Sequence, residues 1–201
     1  MSARHDDTTA IILAGGRATR LGGIDKGWYQ LDGIPLVRHT LDRLSGQCQQ
    51  AVISANRSHA EYAALGYPVI ADQRPDYAGP LAGIASALAT IDSEFALVVP
   101  VDTPGLPHDL CCRLHEAMTP GYDLVAATSP RGRQPLHCLL RVALYAELAA
   151  ALAAGERRVT RWQDRFALAC VHWSSDRPFD NINSTQDASR LGAVAPPAKD
   201  V

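Results

Sequence analysis

The segment Leu13-Ala14-Gly15-Gly16-Arg17-Ala18-Thr19-Arg20-Leu21-Gly22-Gly23-Ile24-Asp25-Lys26-Gly27 carries the densest set of chemistry-bearing residues in the chain. It follows the apolar run Ala10 to Ala14, and two glycines directly after a buried strand let the backbone turn sharply and come close to a ligand. Successive amide N–H groups in such a loop cradle phosphate oxygens, by the same physics as a helix N-terminus. Arg17, Arg20 and Lys26 add cations that offset much of the charge of a triphosphate. The loop is neither of the two common phosphate loops. GxGxxG fails at the spacing, and the segment's lysine lies between Asp25 and Gly27 rather than in GxxxxGK[ST]. A glycine-rich turn with solvated arginines would account for Gly15-Gly16 alone, but not for Arg20, Gly22-Gly23 and Asp25-Lys26 following in order.

Two carboxylates end apolar runs. Asp102 follows Phe95 to Val101, a run apolar enough for a central strand, and a buried aspartate there needs a partner. A divalent cation shared with phosphate oxygens supplies one, since magnesium favours one or two protein carboxylates plus substrate phosphates; capping the next helix is the structural alternative. Asp72 ends Pro68-Val69-Ile70-Ala71, and Gly79-Pro80-Leu81-Ala82-Gly83 opens a helix. Further on, Gly155-Glu156-Arg157-Arg158-Val159 sets two arginines at the start of a short helix, suited either to a solvated basic face or to an acidic ligand. Asn181 and Asn183 precede another short helix whose N-cap is Ser184 or Thr185. The seven histidines form no metal-binding cluster or nucleophilic triad in the sequence, and His137 and Cys138 fall within an expected strand as core residues.

The elements that must position these residues alternate. Strands are expected at 10–14, 51–53, 68–71, 95–101, 123–128, 136–140 and 167–173. Helices are expected at 36–44, 83–91, 106–118 and 142–154. Buried runs alternating with helices specify a mostly parallel sheet covered on both faces. Its ligand then lies beyond the carboxyl ends of the strands, so Gly15-Gly16, Asp72 and Asp102 should face one crevice. With 201 residues, 47% hydrophobic and 20% charged, the chain has a real core in a single domain. A net charge of -2 argues against a broad nucleic-acid surface. No apolar run reaches the roughly 18 to 20 residues of a membrane span, and the N-terminus lacks a leader pattern. Five cysteines without a CxxC pair point to reduced, mostly buried thiols in a cytoplasmic protein rather than disulfides or a structural zinc site.

The pattern L-A-G-G-x-x-x-R-[LM]-G-G-x-D-K resembles the signature loop of the Rossmann-like nucleotidyltransferases. Within them, the chain is most similar to the molybdenum cofactor guanylyltransferase (MobA) family. The resemblance spans residues 9–191 and extends to Ala55-Asn56-Arg57, Val69-Ile70-Ala71-Asp72, Gly79-Pro80-Leu81-Ala82-Gly83, Pro100-Val101-Asp102-Thr103-Pro104, Ala154-Gly155-Glu156-Arg157-Arg158-Val159 and Asn181-Ile182-Asn183-Ser184. It implies an α/β fold, a single three-layer α/β/α domain with a mostly parallel sheet. The nucleotide-binding half would be 9–105 and the acceptor half 106–191, between flexible tails at 1–8 and 192–201. It implies transfer of GMP from GTP to the terminal phosphate of molybdenum-molybdopterin, with Mg²⁺ as cofactor and molybdoenzyme apoproteins or their chaperones as recipients of the product. Arg20, Lys26 and Asp102 would be catalytic, with Asp102 the metal ligand. Leu13, Ala14, Gly15, Gly16, Lys26, Ser54, Asp72, Gly79, Pro80, Leu81, Gly83 and Asp102 would bind GTP. Arg157, Arg158, Asn181 and Asn183 would hold molybdopterin. The chain departs from the family's N-A-N-R at Ser54, whose hydroxyl reaches less far than an amide. A molybdopterin cytidylyltransferase and a non-catalytic GTP-binding protein are the alternatives; the Leu13-Ala14-Gly15-Gly16 and Gly79-Pro80-Leu81-Ala82-Gly83 forms favour guanine.

Overall fold

The computed structural model describes residues 5–15, 25–73 and 79–196. In chain order come β1 (His5–Leu13), β2 (Gln30–Leu31), β3 (Ile34–Pro35), α1 (Leu36–Leu44), β4 (Cys48–Ser54), α2 (His59–Ala63), β5 (Val69–Ile70), α3 (Pro80–Leu88) and β6 (Phe95–Pro100). There follow α4 (Leu110–Ala117), β7 (Leu124–Ser129), β8 (Gly132–Arg141), α5 (Tyr145–Ala153), α6 (Val159–Gln163), β9 (Leu168–His172), α7 (Thr185–Leu191) and β10 (Ala193–Val194).

A seven-stranded sheet runs β5-β4-β1-β6-β8-β7-β9, and only β8 opposes its neighbours' direction. Strand periodicity divides the side chains between two cores. Ala10, Ile12, Leu97 and Val99 meet Val37 and Leu41 of α1, Tyr62 of α2 and Leu110 and Leu114 of α4 on one face. Ile11, Ala96 and Val98 meet Leu81, Ile84 and Leu88 of α3, Leu148 of α5 and Trp162 of α6 on the other. This is the three-layer α/β/α arrangement expected. A small antiparallel sheet, β10-β2-β3, lies apart and covers a third core of Tyr29, Leu36, Ile182, Ala188 and Ala193.

Several boundaries differ from the sequence-based expectation. The helix expected at 83–91 begins three residues earlier, because Pro80 at its first turn has the fixed φ that starts a helix and lacks only an N–H the helix does not use. The helix expected from Leu106 begins at Leu110, where Gln47 takes over the capping: its Oε1 accepts from the Cys111 amide at 2.9 Å and its Nε2 donates to the Pro107 carbonyl at 3.0 Å. Both expected tails contribute strand. β1 starts at His5, and Ala193-Val194 pairs with Leu31 and Gln30. Among the described residues, no helix is long and apolar enough to cross a membrane.

Candidate active site

Four strands end at one level: Ile70 pairs with Ser54, Ser54 with Leu13, and Leu13 with Pro100. The order of the sheet reverses direction at β1, where the chain goes first to β4 and later to β6, and such a switch point opens a crevice beyond the strand ends. A cavity of about 210 Å³ lies there. Leu13, Ala14, Gly15, Lys26, Ser54, Asp72, Gly79, Pro80, Gly83, Asp102, Asn181 and Asn183, all named from sequence, line it.

Asp102 sits two residues beyond β6, buried, with its backbone carbonyl accepting from the Ile182 amide at 3.0 Å. Lys26 Nζ donates to Asp102 Oδ2 at 2.8 Å and to Asn183 Oδ1 at 2.5 Å. Segments far apart in the chain thereby converge on one ammonium group. Asp102 Oδ1 is buried and has no hydrogen-bond partner among the described residues. A carboxylate oxygen in that state is costly to bury and is the donor a hard divalent cation takes, so the residues present fit a Mg²⁺ ion.

On the opposite wall, Asp72 is clamped twice by Asn56. The amide of Asp72 donates to Asn56 Oδ1, and Asn56 Nδ2 donates to Asp72 Oδ2, both at 2.8 Å. Burial raises the Asp72 carboxyl above its ordinary range, and the Asn56 hydrogen bond partly opposes the rise. Gly83 of α3 packs tightly against Ser54 at the end of β4. A Cβ there would lie 2.5 Å from Ser54 Oγ and 3.4 Å from Asp72 Oδ1, so only glycine keeps the helix against this wall. Gly79, at φ 76 and ψ -166, holds a backbone conformation that side chains disfavour just where α3 starts at the crevice.

Lys26 is aimed by its neighbours. It begins a short 3₁₀ turn, Lys26–Trp28, capped by Asp25, whose Oδ1 accepts from the Gly27 amide at 3.1 Å and the Tyr62 hydroxyl at 2.7 Å. Burial raises the Asp25 carboxyl, against the lowering effect of these hydrogen bonds.

The remaining sequence expectations fall differently. Gly16, Arg17 and Arg20 lie outside the described residues. Leu81 is fully buried in the core beneath α3 and does not line the cavity. Arg157 and Arg158 do not line it either. The Arg157 guanidinium donates to the carbonyls of Leu152 and Glu156, and Arg158 is exposed at the N-cap of α6. Glu156 Oε1 accepts from both arginines' amides, at 2.8 and 2.9 Å, which holds its carboxyl below the ordinary range. This segment therefore starts a helix, and it is the Arg157 carbonyl that faces Gly79. Sequence reasoning assigned no site role to Asn56, Pro100, Val101 or Leu136. Asn56, Pro100 and Val101 stood within recognised motifs without a role of their own, and Leu136 is an apolar wall residue without a chemical signature.

A mostly parallel sheet with its crevice at the switch point, walled by glycines, two carboxylates and a converging lysine, defines an α/β nucleotide-handling enzyme. The chain belongs to the MobA-like NTP transferase family, whose domain model matches residues 10–166, and is thus a nucleotidyltransferase. It is 45% identical to a protein of Burkholderia vietnamiensis named molybdenum cofactor guanylyltransferase, over 91% of this chain and 94% of that one. A protein of the same name from an Acidovorax species is 41% identical over 94% and 93%. Among solved structures, the molybdopterin-guanine dinucleotide biosynthesis protein A of Archaeoglobus fulgidus superposes with a TM-score of 0.75, at 24% identity and covering 91% of this chain and 96% of that chain. That likeness shows a shared fold.

Proposed function

We propose that the protein transfers GMP from GTP to the terminal phosphate of molybdenum-molybdopterin, forming the guanine dinucleotide form of the cofactor and pyrophosphate. The observation that carries this is the resemblance along nearly the whole chain to relatives named molybdenum cofactor guanylyltransferase, with Gly15, Lys26, Asp72 and Asp102 lining one crevice. An oxygen of the molybdopterin phosphate bonds to the α-phosphorus of GTP as the bond to the bridging oxygen of pyrophosphate breaks. The attacking phosphate is ionised at pH 7, so no general base is required. The protein's task is orientation and charge stabilisation.

Gly15 and Gly16 offer backbone donors to the phosphates, while Lys26 and Arg20 stabilise the departing pyrophosphate. Asp72, Ser54 and the start of α3 hold the nucleoside end. Asn181 and Asn183 approach from the acceptor side, so that the nucleotide rests on residues up to about 105 and the acceptor on those beyond. Asp102 is the residue that would hold Mg²⁺, through its unpartnered Oδ1, and the bound ion supplies charge neutralisation to the triphosphate. A cytoplasmic location, with delivery of the product to molybdoenzyme apoproteins or their chaperones, completes the reading.

Pyrophosphate release with Mg²⁺ and molybdopterin acceptor, compared across GTP, CTP, ATP and UTP, tests it; release with GTP alone is expected. Preference for CTP would leave the fold and metal site standing and overturn the base assignment. GTP binding without release would point to a non-catalytic binder. Asp102→Ala is expected to abolish release while thermal unfolding stays cooperative, and unchanged turnover would sink the assigned role of Asp102.

A further inference from the structure

Far from the crevice, at the other end of β1, a second group of ionisable side chains converges. His5 and Asp7 come from the start of β1 and His115 from the last turn of α4. About 26 Å of strand separates His5 from Leu13, which lines the crevice. We propose that His5, Asp7 and His115 form a binding site for a divalent transition-metal ion, zinc by the chemistry of its donors.

One donor atom from each of the three residues lies within 4.8 Å of the others. The two imidazoles stack with centroids 3.9 Å apart and planes 2° from parallel, and Asp7 Oδ1 lies 3.9 Å from His115 Nε2. His5 Nε2 is buried with no hydrogen-bond partner among the described residues, an arrangement that native proteins avoid unless something else satisfies the atom. Zinc bonds to nitrogen and oxygen of roughly 2.0–2.2 Å put neighbouring donors of a tetrahedron about 3.4 Å apart. The donors present come into that range when the two rings swing out of their parallel stack, since each imidazole lone pair lies in its ring plane. Two imidazoles and one carboxylate form a borderline donor set that suits zinc and other late first-row ions and leaves a fourth position for water. Magnesium, which prefers oxygen, is poorly served.

The backbone is shaped to make this meeting possible. His5 pairs with Cys48 and Thr9 with Gln50, so β1 spends Asp6, Asp7 and Thr8 where β4 spends Gln49 alone. Such an irregularity breaks the strict alternation of side chains and re-aims them. As a result the consecutive residues Asp7 and Thr8 both approach His115. Thr8 Oγ1 lies 2.7 Å from His115 Nε2 and donates to Asp7 Oδ1 at 3.0 Å. It would become an outer-sphere partner that orients the carboxylate when the ion takes its place at the ring. Phe95 stands edge-on to the His115 ring and fixes its plane. Cys48 and Cys111 lie nearby, but their sulfurs contact each other at 3.7 Å, with Cys111 buried in the core, and they stand outside the set.

The test is a calorimetric titration of the EDTA-treated, nucleotide-free full chain with ZnCl₂, in an Asp102→Asn background that removes the carboxylate assigned to Mg²⁺. One equivalent of zinc is expected to bind and to raise the Tm, with Mg²⁺ failing to compete. His5→Ala and Asp7→Asn, both at the start of β1, are each expected to weaken binding roughly tenfold or more. Cys48→Ser is expected to leave it unchanged. Cobalt(II) in place of zinc should show no thiolate charge-transfer band. No binding, binding that survives both His5→Ala and Asp7→Asn, loss of binding in Cys48→Ser, or a thiolate band would each overturn the assignment. His5→Ala is also expected to retain pyrophosphate release, which separates this site from the catalytic one.

Discussion

Tyr62 illustrates how a single residue far from a motif decides where the motif points. Its ring is fully buried, stacks on Trp28 at 5.0 Å, and fills the space that a Cβ on Gly27 would need, 2.2 Å from the tyrosine oxygen. Its hydroxyl and the Gly27 amide both donate to Asp25 Oδ1, so the turn that carries Lys26 is gripped from two sides. Asp25-Lys26-Gly27 stood out in the sequence as the end of a candidate phosphate-binding loop. Tyr62 did not, because it belongs to another element and no local pattern marks a tyrosine as the partner of a distant aspartate. Tyr62→Phe removes one donor from a buried carboxylate and is expected to lower stability by about 1–3 kcal/mol. It should also lower kcat for pyrophosphate release by about tenfold, with a smaller change in the KM for GTP, because the role proposed for Lys26 falls at the departure of the leaving group. Urea midpoints and steady-state kinetics on the same preparation check both. Lost stability with kcat intact would separate Tyr62 from the aim of Lys26.

At the scale of elements, β8 is the strand that opposes the rest of the sheet, and it carries His137 beneath the segment that follows β6. The ring is buried, 3.1 Å from Thr103 Oγ1 and edge-on to Phe179 at 4.9 Å, so it touches both the residue after Asp102 and the turn that leads to Asn181. The sequence placed His137 correctly as a core residue of a strand, yet a strand's direction leaves no trace in its composition, so these neighbours were invisible. Burial pushes the His137 pKa down to about 3 from 6.5. The unfolded chain therefore takes up a proton that the folded chain refuses between those values. The histidine's contribution to stability is fully present above pH 6.5 and is lost as pH falls through that window. From pH 6.5 to pH 5 the loss is about 2 kcal/mol, at 1.36 kcal/mol per pKa unit. Asp25 and Asp72, raised by burial, act with the opposite sign, since the unfolded chain releases their protons first as pH rises. Comparing wild type with His137→Gln isolates the histidine. Urea midpoints at pH 7 and pH 5 should fall further in the wild type, and equal falls would mean that the ring is protonated in the folded state.

For the molecule as a whole, the main sheet was legible because its strands are short continuous apolar runs and its crevice-facing residues lie two positions beyond their ends. Ala10 to Ile12 and Phe95 to Pro100 are buried as expected, and Gly15, Asp72 and Asp102 do face one crevice. The closure of the chain upon itself was not legible. β2, β3 and β10 have two residues each, too few to show a period, and Ala193-Val194 stood in what looked like tail. Yet this small sheet and the core beneath it bring the end of the chain back to the start. Ile182 is fully buried against Tyr29, Leu36, Ala188 and Ala193, and its amide donates to the Asp102 carbonyl. It lies between Asn181 and Asn183, which line the crevice, and Asn183 accepts from Lys26. Ser184 then caps α7 by accepting from the Asp187 amide at 3.1 Å, which fixes where the segment turns away. Apolar packing at Ile182 therefore holds polar groups in place on either side. Ile182→Ala leaves a cavity and is expected to destabilise by about 2–4 kcal/mol. Because the same change loosens Asn183 from Lys26, kcat should fall as well, at a temperature well below the variant's Tm. Ile182→Val, which keeps most of the volume, should cost about 1 kcal/mol and leave kcat near wild type. A stability loss in Ile182→Ala with undiminished turnover would mean that the carboxy-terminal segment closes the fold without ordering the site.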